Sequence, residues 1–380
     1  MSTAPLARLG RWAHGHRALV IVAWAVFAIG LGVFAPKLEH ALSGAMWEVR
    51  GSESLKVREI VDEQFGGLSS QSAVIVVHSE TLAVEDPAFQ AVIAEANGVL
   101  ASDDAFGPAM PAQPGMDGRT VMIQAGTTVN PTESVRAAER IADEVKALSS
   151  DEITVALTGS PAFWGDFNAE NRKGMMKAEM LTWPITALIL VIAFGTLAAA
   201  GLPLLLTAAG LVASMGVLYG ITQYTDLSIW TLNFAMMFAL ALGIDYALFI
   251  VTRFRGALHA TESPREAVGI AMDTAGKAVL FSGLTVLISL SAVLLVPIPA
   301  FQSMAAGMML AVGFVLLAAL TLLPALLGRG IERFALPWHS AGEHRSPFWG
   351  NFADRVKKHR VLAGVGSTAV LLGLALPLLN

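Results

Sequence analysis

The chain has 380 residues, 54% of them apolar and only 14% charged, with a mean hydropathy of +0.61. A soluble domain carries about 25% charged residues, so a soluble enzyme, a nucleic-acid binder and a disordered chain are excluded at the level of the whole molecule. There are no cysteines, which removes disulfides, zinc ribbons and thiol catalysis; the net charge of −5 is small but unevenly spread.

In chain order, seven apolar stretches reach the ~20 helical residues needed to cross a hydrocarbon core of about 30 Å. They cover about 18–36, 180–200, 202–221, 229–252, 278–298, 300–328 and 361–379. Arg8, Arg11 and Arg17 precede the first, as they would in a signal peptide, but Pro36 and Lys37 follow Ala35, where cleavage would fall; the stretch reads as a span. Lys and Arg set the orientation. With the N-terminus in the cytoplasm, residues 37–178 lie outside and hold 11 Lys and Arg against 21 Asp and Glu. The other 14 basic residues then all fall on the cytoplasmic side. The expected organisation is a cytoplasmic N-terminus with span one (1–36), an extracytoplasmic domain (37–178), a five-span cluster (179–328), a basic cytoplasmic loop (329–360) facing anionic headgroups, and span seven (361–380).

Residues 37–178 have soluble composition. Strand-like runs occur at Ser72–Ser79, Arg119–Thr128 and Ile153–Thr158, and helical patterns at Pro87–Ala101 and Pro131–Leu148, with Asp86 and Asn130 as N-caps before prolines at the first helical position. Ala105–Gly118 reads as a loop, with a further strand possible before the turn at Pro114–Gly118. Strand–helix–strand–helix–strand order predicts an α+β module of ferredoxin-like kind. The fold class is thus an α-helical polytopic membrane protein of about seven spans with an extracytoplasmic ferredoxin-like domain. The glycines at 66–67 and 159 serve turns. No nucleotide loop, metal-ligand spacing or nucleophile motif is present, so no cofactor, metal or catalytic residue is expected.

Apart from tyrosines, one ionisable side chain lies clearly inside a span: Asp245, in LALGIDYALFIVTRFR at 240–255. Eight residues at 1.5 Å place it ~12 Å from the boundary marked by Arg253, near the midplane. A carboxylate there costs ~2.5–3.5 kcal/mol on insertion scales, and intramembrane acids often serve ion coupling. The plainer reading is a packing hydrogen bond between helices. Tyr246 points about 100° away around the helix, to donate to a carboxylate elsewhere or to pack. Phe249 shares the face of Asp245 and by default packs. In the fifth span, hydroxyls of Ser282, Thr285, Ser289 and Ser291 can bond their own i−4 carbonyls; Ser282, at the depth of Asp245, is the exception expected to do more. Ser263-Pro264-Arg265-Glu266 reads as a capping box opening a short interfacial helix.

The residues GIDYALFIVTRFR at 243–255 closely resemble the fourth-span signature of the MmpL family, within the resistance–nodulation–division superfamily. Gly51–Gly67 (GSESLKVREIVDEQFGG) and Leu157–Phe167 (LTGSPAFWGDF) resemble the family's stretches after span one and ahead of span two. The resemblance covers nearly the whole chain. It implies export of lipids or other amphipathic molecules driven by proton influx, with Asp245 and Tyr246 as the first half of a proton relay, Phe249 and Ser282 lining it, and 37–178 forming part of the substrate cavity. Family members usually have about twelve spans in two halves, each with an Asp-Tyr pair, whereas this chain has one. His16-Arg17-Ala18-Leu19 and His359-Arg360-Val361-Leu362 open spans one and seven alike, as if span seven began a second copy. The expected partners are a lipid or amphipathic substrate, membrane lipids and protons, without nucleic acid, and a second half from the same chain or a homo-oligomer. The alternatives are a non-transporting lipid-binding or sensing module of the same superfamily and a protein-translocation accessory, the latter disfavoured by Tyr246.

Overall fold

The computed structural model describes residues 4–44, 46–65, 67–68, 71–127, 129–261, 263–328, 330 and 347–375. Clustering divides it into two units, Met1–Phe334 and Ala335–Asn380.

In the first unit, helix α1 (Pro5–Gly15) leads into α2 (Arg17–Gly32) and α3 (Ala35–Ala41). Among the described residues, six helical stretches are long and apolar enough to cross a membrane by length and composition: Arg17–Ala41, Ser160–Phe194, Leu197–Thr222, Trp230–Ala260, Pro264–Leu295 and Pro299–Leu326. The last five contain α7 (Ser160–Phe194), α8 (Leu197–Thr222), α9 (Trp230–Ala260), α10 and α11 (Pro264–Ala271 and Lys277–Ser291, joined by a π-turn at Met272–Gly276) and α12 (Pro299–Leu326). Helix α12 is the buried centre; Ala311, Val312, Val315, Ala318, Ala319 and Leu323 are fully covered. Small side chains allow this close approach, because packing rather than hydrophobicity holds helices together in lipid. Trp24 Nε1 also donates to Thr321 Oγ1 (3.0 Å), tying α2 to α12.

Two boundaries differ from the hydropathy reading. Spans two and three separate at Gly195–Thr196 rather than 200–202. Gly195 takes the left-handed conformation (φ 69°, ψ 4°) that ends α7, and Thr196 caps α8 by accepting from Ala199 N (3.2 Å). Stop and start signals are thus adjacent, and Pro203 lies inside α8. Span two also begins about 20 residues early in helical terms: α7 starts at Ser160, and its first turns are too polar for a hydropathy window to register. The helix at Pro264 forms, but Ser263 makes no side-chain cap bond; its backbone carbonyl accepts from Glu266 N instead (3.0 Å).

The soluble-composition segment folds as β1 (Ala73–His78), α5 (Pro87–Ala101), β2 (Phe106–Ala109), β3 (Gln113–Pro114), β4 (Thr120–Thr127), α6 (Pro131–Ala147) and β5 (Thr154–Gly159). A further helix, α4 (Glu53–Gln64), precedes it, capped by Ser52 accepting from Leu55 N. The sheet order is β2-β4-β1-β5 with β3 beside β4, every pairing antiparallel. In register, Ile75 faces Ile123 on one side and Leu157 on the other. Alternation in β1 sends Ala73, Ile75 and Val77 into a core shared with Phe89 and Leu100 of α5 and Ile141 and Val145 of α6. The stretch 105–118, read as a loop, contains β2 and β3. Gly107 and Pro108 hide β2 in the sequence, and proline is tolerated because β2 is an edge strand. Asn130 caps α6 as expected, accepting from Glu133 N (2.9 Å). Asp86 does not cap α5: its carboxylate accepts from Ala83 N (2.7 Å) in the preceding turn. Gly67 and Gly159 have positive φ; Gly66 and Thr128 lie outside the described residues.

Sheet and helices meet around Ser43. Its backbone pairs with the α8–α9 link (Ser43 N to Leu227 O, 2.8 Å; Ile229 N to Ser43 O, 2.9 Å), and its hydroxyl accepts from Thr132 Oγ1 of α6 (3.1 Å).

On α6, Arg140 donates to Asp103 (2.7 and 3.1 Å) and Glu133 (2.8 Å). The Arg140 hydrogen bonds hold the Asp103 carboxyl below its usual range. A folded-state value below the unfolded ~3.9 means stabilisation that is present above that pH and lost as pH falls through the folded value. Asp103→Asn should therefore flatten the acid limb of the thermal-stability curve below about pH 4. Thermal unfolding of the solubilised protein between pH 3 and 7 tests this; an unchanged acid limb refutes it.

The second unit holds α13 (Pro347–Lys358), basic at its end through Arg355, Lys357 and Lys358, and α14 (Arg360–Ala375). Among the described residues α14 is a 16-residue apolar helix, shorter than the six stretches of the first unit. The end of the expected seventh span (376–379), and the basic loop from 331 to 346 with Arg329, lie outside the described residues.

Candidate functional site

Helix α9 is 31 residues long, about 46 Å. Asp245 stands some 22 Å from Trp230 and ~12 Å from Arg253, in its middle. Its side chain is exposed on the outer wall of the bundle, and Phe249, one turn on, is 61% exposed on the same wall. Tyr246 turns the other way and is only 2% exposed. Gly243 lets α8 approach closely here, since a Cβ would collide with the Thr207 hydroxyl.

The Tyr246 hydroxyl is buried without a hydrogen bond of good geometry. Its polar neighbours are Ser282 of α11 and the adjacent Asp245. Of the other α11 hydroxyls, Thr285 donates to its i−4 carbonyl, Phe281 O (2.8 Å), as expected, whereas Ser291 donates to Ile288 O, three residues back (2.7 Å). Tyr246 and Ser282 thus come together between α9 and α11, while Asp245 and Phe249 stand on the exposed face of α9. Large apolar side chains are exposed on these two helices as well: Met237 of α9 and Phe281, Leu284 and Ile288 of α11. A carboxylate on such a surface in lipid is costly and calls for a cover that supplies polar groups.

The sequence assigns the basic residues after Asp245 to a boundary, to the charge asymmetry and to the 243–255 signature, but not to contacts between helices. They also bond to neighbouring helical elements. Arg255 Nη1 donates to Phe194 O (2.8 Å), at the end of α7, where a cation suits the unpaired carbonyls. Arg253 Nε donates to Thr274 Oγ1 (3.0 Å) in the π-turn below α11. The C-terminal part of α9 is thereby tied to the end of α7 and to the turn preceding α11. A π-turn is a common mark of functional irregularity within a helix.

Two concavities lie nearer the sheet. Helices α7, α8 and α9 bound an apolar cavity of about 340 Å³. A charged cleft of about 650 Å³ lies between α6, β5 and α7, lined by Glu139, Asp143, Lys146, Asp166, Arg172 and Lys173. Burial pushes the Glu139 carboxyl up, against the opposing pull of Arg172, Arg136 and His40. Among the described residues, no group of three or more His, Asp or Glu could hold a metal ion.

The profile of the MMPL family matches residues 47–359. A mycolic acid-containing lipids exporter, MmpL11, of Mycolicibacterium smegmatis is 30% identical over 94% of this chain and 40% of its own length. A putative membrane protein of Streptomyces coelicolor, SCO6666, is 31% identical over 98% of this chain and 53% of its own length. A protein of Mycobacterium tuberculosis named heme uptake protein MmpL11 is 29% identical over 97% of this chain and 40% of its own length. The chain thus spans between two fifths and about half the length of these three relatives.

Proposed function

The chain belongs to the MMPL family, and from that premise we propose that it is one working half of a proton-driven exporter of lipids or other amphipathic molecules across the cell membrane. The observation that carries the reading is Asp245, an acid in mid-helix on an outward apolar wall. A second half, from the same polypeptide or a second chain, covers that wall and supplies partners for the carboxylate. The protonated acid is tolerated against apolar neighbours; the ionised acid draws in hydroxyls, Tyr246 and Ser282 among them. Each proton crossing releases ~2.3 kcal/mol per 100 mV, enough to bias one arrangement of α9 and α11 over another. The ties from Arg253 to Thr274 and from Arg255 to Phe194 carry that bias to the π-turn and to α7.

The N-terminus lies in the cytoplasm and the sheet outside, following the Lys and Arg distribution. The strand order supports a ferredoxin-like module: β1 and β2 flank β4 as a split β-α-β unit. Its charged cleft and the neighbouring apolar cavity suit a cargo with a polar end and an apolar end. The names of two relatives, a lipid exporter and a heme uptake protein, agree on amphipathic cargo and differ on direction.

The complete protein, reconstituted in vesicles with an imposed proton gradient, tests this reading. Transfer of a fluorescent lipid that stops when a protonophore collapses the gradient supports it. Lipid binding with no gradient-dependent transfer overturns it in favour of a sensing module.

A further inference from the structure

The cavity between α7, α8 and α9 is small for a ligand site; such sites span roughly 300–1,000 Å³, and this one has about 340 Å³. Its walls divide by chemistry. Met175, Trp183, Leu211, Met236, Met237 and Leu240 make an apolar surface, and methionines adapt to irregular hydrocarbon. Opposite them stand Asn171 of α7 and Asn233 of α9, which also line the space.

These two amides are half-satisfied. Asn233 Nδ2 donates to Asn171 Oδ1 (3.2 Å), while Asn171 Nδ2 and Asn233 Oδ1 are buried with no partner. Turning both amides over leaves the same inventory, one spare donor beside one spare acceptor. A pair of unmade bonds in an apolar setting is costly, and a single hydroxyl, donor and acceptor at once, completes both. The remaining ionisable lining group is the Glu179 carboxyl, which disfavours an anionic head. The volume accommodates one chain and a compact head.

We infer that this cavity binds an uncharged single-chain amphiphile, its hydroxyl head bridging Asn171 and Asn233 and its chain lying against Met236 and Met237. This deepens the exporter reading and rests on it for what becomes of the bound molecule; binding itself requires no gradient.

The test uses the full chain in phosphatidylcholine nanodiscs with a diazirine-bearing long-chain alcohol, and the diazirine-bearing fatty acid of equal length as comparison. Mass spectrometry of cross-linked peptides should place the alcohol on Trp183, Met236 or Met237, saturably and displaced by unlabelled alcohol, with the acid about tenfold weaker. Asn171→Leu combined with Asn233→Leu should weaken saturable labelling about tenfold, the size of one such bond. Gly174→Phe is the second variant: a Cβ there meets open space, so the ring fills the cavity without disturbing packing and should abolish labelling. Non-saturable labelling spread over outward-facing helices, or labelling unaffected by Gly174→Phe, overturns the site. Saturable labelling in a protein that transfers no lipid keeps the site and sinks the exporter reading; gradient-driven transfer without saturable labelling does the reverse.

Discussion

Replacing Asp245 by Asn should reduce gradient-dependent transfer by the complete protein to background while leaving the amount of folded protein unchanged. Asparagine keeps the shape and hydrogen-bonding capacity of the side chain but cannot gain or lose a proton. The residue is exposed and lies outside the packed centre around α12, so the substitution opens no cavity. Tyr246→Phe is the informative companion. It removes a hydroxyl that is buried and without a good partner, so folding stability should hold or rise slightly, while transfer should fall if that hydroxyl serves the ionised acid. Reconstituted transfer assays and thermal melts on the same preparations check both. Full gradient-dependent transfer by Asp245→Asn would remove the relay from the account.

Gly159→Ala should cost about 3 kcal/mol of stability, one of the largest single-site losses open to the α/β module. Gly159 closes β5 and opens α7 with φ 94° and ψ 170°, a conformation that is essentially glycine's alone. Its position opposite Ala73 leaves no room either, because a Cβ would run into the Ser72 carbonyl oxygen. Relief would mean unpairing the end of β1 from β5. Thermal unfolding and protease cleavage near residue 72 measure the effect; a loss under about 1 kcal/mol would show that the backbone adapts more easily than this geometry allows.

Much of the layout is legible in the residues because its signals are local. Pro87 and Pro131 mark two helix starts to the residue, and β1, β4 and β5 announce themselves by alternation. The misses share a cause as well. Strand β2 is too short and too rich in Gly and Pro to stand out from a loop, and becomes a strand only because β4 offers it a partner. The first 20 residues of α7 are helical but polar, so hydropathy finds only its greasy end. The break at Gly195–Thr196 is readable as a stop signal beside a start signal, but continuous hydropathy masks it.

At the site, composition alone singles out Asp245, since an acid in a span is conspicuous. Its outward aspect is not encoded locally; it depends on which faces of α9 are taken by α8 and α12. The Asn171–Asn233 pair is equally invisible, two ordinary residues 62 positions apart. The bond from Arg255 to Phe194 O ends on a backbone carbonyl, which no pattern of side chains can reveal.

Helix α7 grows directly out of β5 with no linker, and its 35 residues reach about 52 Å. A tilt of about 5° at one end swings the other by roughly 4–5 Å over that length. Such a strut converts a slight lean at its C-terminal end into a displacement as wide as the gap between neighbouring strands, unless bending at Pro184 absorbs it. That proline is therefore a point along the strut where leverage can be tuned or lost.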